Sequence, residues 1–168
     1  FIGLTGTPDD ILAAQAAALS YLGRANRYSR APSQVADYLE ATRGTVSQTL
    51  KVLERKGLIA VRRSETDRRT LSCEVTAKGR VALAAVRPLD TAVASMDPTM
   101  RLSAEAGIEA LIARLLGARG GRAFGLRRTC SHHEGREDAG GFCRLLSVAL
   151  VPADAELICH EHAQAEAA

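Results

Sequence analysis

The chain has few aromatic and sulfur-containing side chains for its length. Its 168 residues include no tryptophan, three phenylalanines, three tyrosines and two methionines. A core must therefore be built from aliphatic side chains and alanine, and it will be modest in size. No apolar run approaches the roughly 20 residues that a membrane-spanning helix needs, and no signal peptide is visible. We therefore expect a cytoplasmic protein with no membrane partner.

Lysine is also scarce, and the basic charge is concentrated in one part of the chain. Nineteen of the 22 basic residues are arginine. Residues 43–80 hold ten Lys or Arg against four acids, a net charge of +6, whereas the whole chain carries only +3. The remainder is therefore slightly acidic. A local basic patch of this kind is typical of surfaces that bind nucleic-acid phosphates.

Residues 31–80 contain the element order of a helix-turn-helix followed by a β-hairpin, or wing. Pro32 favours the first turn of one helix, and Thr42 is a good N-cap for a second. Gly57 stands where the second helix would end. The apolar face of that second helix is formed by Val46, Leu50 and Leu53. The pattern predicts two short helices packed at a tight corner, an arrangement used to read duplex DNA.

The predicted wing has two strands and a polar tip. Residues 58–63 are β-prone, residues 71–75 alternate between apolar and polar, and residues 64–69 lie between them. Cys73 falls on the apolar face of the second strand, so we predict that it is buried filler rather than a ligand.

The outward face of the second helix and the wing carry residues that suit DNA contacts. The helix face alone fits a solvated surface equally well, and the arginine-rich wing decides in favour of DNA. Glutamine can pair with adenine, Ser and Thr can bond bases or phosphates, and arginine suits the narrow minor groove. The predicted contacts are Arg43, Gly44, Thr45, Ser47, Gln48, Lys51, Arg55, Arg62, Arg63, Asp67, Arg68 and Arg69.

This segment resembles the MarR family of winged-helix transcription regulators, over about residues 4–118. The resemblance implies homodimers that bind pseudo-palindromic operators in double-stranded DNA. It also implies that the second helix enters the major groove and that Asp67 accompanies an Arg69 aimed at the minor groove. The matching residues are Gln34-Val35-Ala36, Leu39, Thr45-Val46-Ser47, Leu53-Glu54-Arg55-Lys56-Gly57-Leu58-Ile59, Asp67-Arg68-Arg69 and Thr76-Ala77-Lys78-Gly79.

Three further apolar segments are expected to form helices of a scaffold. They are residues 8–25, residues 77–96 with an interruption at Pro88, and a helix capped by Ser103 after a break at Asp97-Pro98. Their apolar stripes suit either a monomer core or a dimer seam, and the family resemblance favours the seam.

The composition changes after the glycine-rich junction at residues 117–122. All four histidines and three of the four cysteines follow it. In a reducing compartment such clustering favours a metal over disulfides. The candidate ligands are two Cys-x2-His pairs and one further cysteine, namely Cys130, His133, Cys143, Cys159 and His162. The alternative is that the histidines are solvated and the cysteines are small buried apolar residues.

The tail also resembles that of a subset of MarR-like regulators, in which a Phe-Gly-x-Cys-x-x-Cys opening supplies two thiols. Here the opening runs from Phe124 to Cys130, and Arg127 stands in place of the first thiol. Three cysteines remain, with His133 or His162 to complete the site. Three thiolates and an imidazole suit zinc or a [2Fe-2S] cluster, and the sequence does not decide between them.

We therefore expect a mainly α, homodimeric fold with a small β-wing. Residues 1–121 would form the winged-helix DNA-binding and dimerisation domain, and residues 122–168 a small irregular Cys/His segment. The expected function is a sequence-specific DNA-binding regulator that acts as a repressor, with a tail site that is sensory or structural and an effector that the sequence does not reveal. The alternative is a winged-helix module for protein–protein assembly with a structural zinc clip. A metalloenzyme is disfavoured, because only Glu134 and Glu161 stand near the ligands as acids or bases.

Overall fold

The computed structural model describes residues 11–63, 70–86, 92–119, 124–135 and 141–163. The first elements are α1 (Ala13–Arg24), α2 (Pro32–Tyr38), α3 (Arg43–Arg55), β1 (Ile59–Arg63), β2 (Leu71–Val75) and α4 (Ala77–Val86). They are followed by α5 (Pro98–Arg119), β3 (Gly125–Leu126), β4 (His133–Glu134), β5 (Phe142–Cys143), β6 (Val148–Ala149), α6 (Pro152–Ala155) and β7 (Ile158–Cys159). The predicted mainly helical fold with a small β-wing is confirmed.

The core of the winged helix is aliphatic, as the scarcity of aromatic residues predicts. Its apolar side chains come from α1, α2, α3 and β1 and are at most 4 % exposed: Leu19, Leu22, Val35, Val46, Leu50, Leu53 and Ile59. Three aromatic rings lie at one edge, where the centroids of Tyr21 and Tyr38 are 4.4 Å apart and Phe124 is 5.1 Å from Tyr38. Burial raises the pKa of Tyr21, whose hydroxyl donates to the Ser29 carbonyl at 2.7 Å.

Local capping fixes the corner between α2 and α3. Pro32 occupies the first turn of α2, where its missing N–H costs nothing. Past the end of α2, Glu40 takes the left-handed φ of 49° that often follows a helix C-terminus. The Thr42 side chain then accepts a hydrogen bond of 3.2 Å from the Thr45 N–H. The predicted N-cap at Thr42 is confirmed.

The end of α3 is fixed by a glycine and by residues that follow the wing. Gly57 has a φ of 72°, a conformation that favours glycine. The Thr76 hydroxyl donates to the Gly57 carbonyl at 2.7 Å and accepts from the Gly79 N–H at 3.0 Å. Lys78 Nζ donates to the Lys56 carbonyl at 2.8 Å, and a Cβ at Gly79 would collide with the backbone that leads into the wing. The Thr-Ala-Lys-Gly motif therefore joins α3 to α4.

One predicted boundary, at the start of α1, is wrong. The helix begins at Ala13 rather than at residue 8, because Leu12 has an extended backbone with ψ of 156° and serves as the N-cap residue. A leucine side chain cannot accept a capping hydrogen bond, and the sequence therefore offers no helix-start signal at this position. The predicted interruption at Pro88 lies outside the described residues.

The predicted start of the last long helix is also wrong. α5 begins at Pro98, not after Ser103, and Asp97 caps it by accepting a hydrogen bond of 2.9 Å from the Thr99 N–H. Proline in the first turn starts this helix rather than breaking the chain. Within the described residues, no helix is both long enough and apolar enough to cross a membrane.

The tail, residues 124–163, folds back onto α1. Its strands form two small antiparallel sheets, one of β3 and β7 and one in the order β4-β5-β6. The backbone N–H and the side-chain Nδ2 of Asn26 both donate to the Ile158 carbonyl, at 3.0 and 2.7 Å. Ile158 is buried in the same core as α1. The tail therefore has paired strands where the sequence predicts an irregular segment.

Candidate nucleic-acid interface and tail site

α3 has one buried face and one exposed face. Val46, Leu50 and Leu53 point into the core. On the remaining surface, Ser47 is half-buried and the other predicted contacts are exposed, namely Arg43, Gly44, Thr45, Gln48, Lys51 and Arg55. Polar side chains on the free side of a packed helix can enter a groove without disturbing the core. Their contacts with DNA stay a prediction.

The first turn of α3 offers both backbone and hydroxyl groups to a ligand. The Oγ1 atoms of Thr42 and Thr45 lie 2.8 Å apart, so each hydroxyl orients the other. A Cβ at Gly44 would meet only the Thr42 hydroxyl, at 3.9 Å, so the space beside this turn is open. Since the N-terminal turn of a helix suits a phosphate, this end of α3 fits close approach to a DNA backbone.

The wing places basic side chains beside α3. β1 and β2 pair in an antiparallel ladder along their whole length. Arg62 is exposed, with its Nε 3.9 Å from the Glu74 carboxylate on the neighbouring strand, and Arg63 is exposed at the outer end of β1. The predicted tip contacts lie outside the described residues; they are Asp67, Arg68 and Arg69.

Cys73 lies in the middle of β2 with no exposed surface. Burial, with a smaller contribution from the Glu54 carboxylate, raises the pKa of its thiol to about 11. Its backbone N–H donates to the Arg30 carbonyl at 2.9 Å. The prediction that Cys73 is buried filler is confirmed.

The five predicted metal ligands are spread over the two small sheets of the tail. Cys159 lies in β7 of one sheet, whereas His133 and Cys143 are paired across β4 and β5 of the other. Cys130 follows a 3-10 turn after β3, and His162 follows β7. All three cysteines are free and buried.

Several of these five side chains already have hydrogen-bond partners in the tail. The Cys159 sulfur accepts from Arg127 Nη2 at 3.6 Å. The Cys130 sulfur accepts from the Ala163 N–H at 3.5 Å. The His162 Nε2 lies 2.9 Å from the Thr129 hydroxyl, and burial lowers the pKa of this imidazole. Among the described residues, which include all five candidates, no three His, Cys, Asp or Glu side chains are placed to share an ion. The arrangement does not suit a four-ligand centre, and the zinc or [2Fe-2S] site stays a prediction.

Two buried tail residues were not predicted as functional. His160 is 6 % exposed, with Nε2 2.9 Å from the Asp37 carboxylate of α2 and Nδ1 2.8 Å from the Glu161 carboxylate. Its backbone N–H donates to the Ser29 hydroxyl at 2.9 Å. The apolar run that precedes His160 was an available signal of burial. Arg127 is 1 % exposed, and the only signal was its position in place of a thiol, because arginine is rarely buried.

Comparison with known proteins supports the same regulator class. A family model described as "MarR family" matches residues 3–70. The structure of Streptococcus pneumoniae FabT in complex with DNA is 31 % identical, with a TM-score of 0.52, over 65 % of this chain and 78 % of that one. The S. aureus MepR–DNA complex is 25 % identical, with a TM-score of 0.45, over 64 % of this chain and 81 % of that one.

The structure of S. aureus MepR bound to ethidium bromide is also 25 % identical, with a TM-score of 0.47, over 64 % of this chain and 80 % of that one. None of the curated proteins matches the chain. Residues 3–70, which the family model matches, include the helix-turn-helix described above. The chain therefore belongs to the MarR family, whose regulators are non-enzymatic DNA-binding proteins.

Proposed function

We propose that the chain binds an operator in double-stranded DNA as a homodimer and represses transcription from it. The observation that carries the proposal is the exposed polar face of α3, which lies opposite Val46, Leu50 and Leu53 and beside a basic wing. A helix held by its apolar face can be inserted into the major groove as a rigid body. FabT, solved in complex with DNA, supports the proposal because it is 31 % identical.

In this proposal the contacts divide into base reading and phosphate binding. Gln48 lies at the middle of the exposed face and suits paired hydrogen bonds to adenine. Lys51 and Arg55 extend along the same helix, and they suit phosphates on either side of the groove. Arg69, from the wing tip, would reach the adjacent minor groove, where negative potential is concentrated.

The proposed dimer uses the apolar surface of α5. Six of its apolar side chains are between 48 and 64 % exposed: Met100, Leu102, Ile108, Leu111, Ile112 and Leu115. A surface of this kind is rare on a monomeric protein and commonly marks an interface. A two-fold pair of subunits would present two α3 helices to the half-sites of a pseudo-palindromic operator.

Binding to DNA is testable with a duplex selected from a random-sequence pool. We expect the Gln48→Ala and Arg69→Ala variants each to lose about 1–3 kcal/mol of binding free energy, because each side chain would reach base edges. Gel shifts at several salt concentrations would measure the loss. The wild-type affinity should fall steeply as salt rises, because bound phosphates release counterions.

Arg128→Ala is the matched control, because Arg128 is an exposed arginine of the tail that pairs with Glu156 at 3.1 Å. Its affinity should equal that of the wild type. If no duplex is selected, or if the wild-type affinity does not depend on salt, the chain is an assembly module and not an operator-binding protein. Equal affinity in the two variants and the control would reject the proposed reading residues.

A further inference from the structure

Arg127 is a buried cation among the cysteines of the tail. Its side chain is 1 % exposed, and its Nη2 donates to the Cys159 sulfur at 3.6 Å. The backbone of Arg127 is fixed as well, since its N–H donates to the Leu157 carbonyl at 3.1 Å. Arg127 therefore occupies the sequence position of the first thiol in the regulators that the tail resembles, and its guanidinium contacts the sulfur of Cys159.

An aromatic ring holds the same guanidinium from the side of α1. The Cζ of Arg127 lies 5.0 Å from the centroid of Tyr28, which is within range of a cation–π contact. The Arg27 guanidinium lies 5.7 Å from the same centroid and pairs with the buried Asp154 at 2.8 Å. Arg127 thus links β7, through Cys159, to the loop between α1 and α2, through Tyr28.

The other N–H groups of the Arg127 guanidinium are hydrogen-bond donors, so they need acceptors nearby and would be unfavourable beside a second cation. Within the described residues its Nε and Nη1 are buried without a hydrogen-bond partner. A divalent ion bound to the Cys159 sulfur would lie next to this fixed positive charge, which would repel it. The sulfur lone pair that faces Nη2 would also have to be shared between the guanidinium and the ion.

We infer that the tail of this chain is held together without a metal ion, and that the Arg127 guanidinium is the cation that takes its place beside Cys159. The guanidinium supplies the two things that a structural ion would supply here. It makes a directional contact with a sulfur, and it ties β7 to the corner after α1. The inference does not rest on DNA binding, and it is tested on the free protein.

The test compares the metal content of the wild type with that of Arg127→Cys. Both are expressed in medium with added zinc and iron and purified without oxygen. We expect less than about 0.1 zinc or iron per chain in the wild type and about one ion per chain in Arg127→Cys. The change removes the repelling charge and adds a fourth thiol, and the energy of metal binding would draw the four thiols together. About one ion per chain in the wild type would overturn the inference, as would an Arg127→Cys protein that gains none.

A second measurement does not depend on the folding of Arg127→Cys. A strong chelator should leave the thermal midpoint of the wild type unchanged, whereas a fall on chelation would contradict a metal-free tail.

Proteolysis tests whether the guanidinium holds the tail. In Arg127→Ala, chymotrypsin should cleave the tail about tenfold faster than in the wild type, because local unfolding of the tail costs less free energy. The matched control Arg128→Ala should stay within about twofold, since its surface ion pair contributes little. Equal cleavage of the two variants would show that the guanidinium does not hold the tail.

Discussion

Single residues of the winged helix follow simple local rules. Thr42 caps α3 and Gly57 ends it, as the sequence predicts, because a cap depends on a few neighbouring residues. The burial of Cys73 was also predictable from strand alternation. The burial of Arg127 and His160 was not, because it depends on the tail folding back onto α1, and no local pattern encodes that contact.

The raised pKa of Cys73 makes stability depend on alkaline pH. Its folded pKa of about 11 exceeds the ordinary thiol value of 9.0. Above pH 9 the unfolded chain loses this proton and the folded chain keeps it, so stability falls as pH rises toward 11. Urea unfolding should show the wild type losing about 1 kcal/mol more than Cys73→Ala between pH 8 and pH 10.

The comparison with Cys73→Ala cancels the titration of every other group. It also separates ionisation from the cavity that the substitution leaves, because the cavity cost is the same at both pH values. If the two proteins lose equal stability between pH 8 and pH 10, Cys73 is not desolvated in the folded state.

Among the elements, helices with a strong cap were easier to place than those without one. The boundaries of α2 and α3 carry Pro, Thr and Gly signals, whereas α1 starts behind Leu12, which signals nothing. The start of α5 is predicted several residues too late, because the pair Asp97-Pro98 is typical both of a chain break between helices and of the first residues of a helix. The structure shows a start, in which the aspartate accepts hydrogen bonds from the first turn.

The cap of α5 provides a direct test at this scale. Asp97→Ala removes the acceptor of the Thr99 and Met100 N–H groups, which lie 2.9 and 3.3 Å from Oδ1. We expect a loss of about 1 kcal/mol of helix stability. Amide hydrogen exchange at Thr99 and Met100 should therefore accelerate about fivefold, since these amides become free to open.

Asp97→Asn is the matched control, because asparagine accepts the same hydrogen bonds without the charge. Its exchange rates should lie close to those of the wild type. Equal acceleration in Asp97→Ala and Asp97→Asn would assign the effect to the charge and the helix dipole and not to the hydrogen bonds.

The whole molecule was only partly predictable. Its family and its reading helix could be inferred from residues 31–80, because that segment combines local signals with a specific motif. The docking of the tail could not, since it depends on single polar contacts between distant segments, such as the pair of His160 and Asp37 at 2.9 Å. The metal site was predicted from cysteine spacing, and spacing alone does not show that side chains converge.

The proposed dimer gives the prediction for the whole molecule. Leu111 is 59 % exposed on α5, and a glutamate there would place an unpaired charge in an apolar interface. We expect Leu111→Glu to raise the dimer dissociation constant by about two orders of magnitude. Sedimentation velocity over a range of concentrations would measure this change.

Leu145→Glu makes the same exchange at a residue of the tail that is 50 % exposed. It should leave the dimer intact, because Leu145 does not lie on α5. A wild type that is monomeric at micromolar concentration, or a Leu111→Glu protein that stays dimeric, would rule out α5 as the interface.

The two hydrogen bonds from Asn26 to Ile158 also set the order in which the protein can fold. They join residues 132 positions apart in sequence, so they carry a large loop-closure cost and belong to the slowest class of contacts. The corner that leads from α1 into α2 therefore stays incomplete while the chain is being synthesised. It reaches its native form only after Ile158 has left the ribosome, so the reading helix is translated before the segment that supports it.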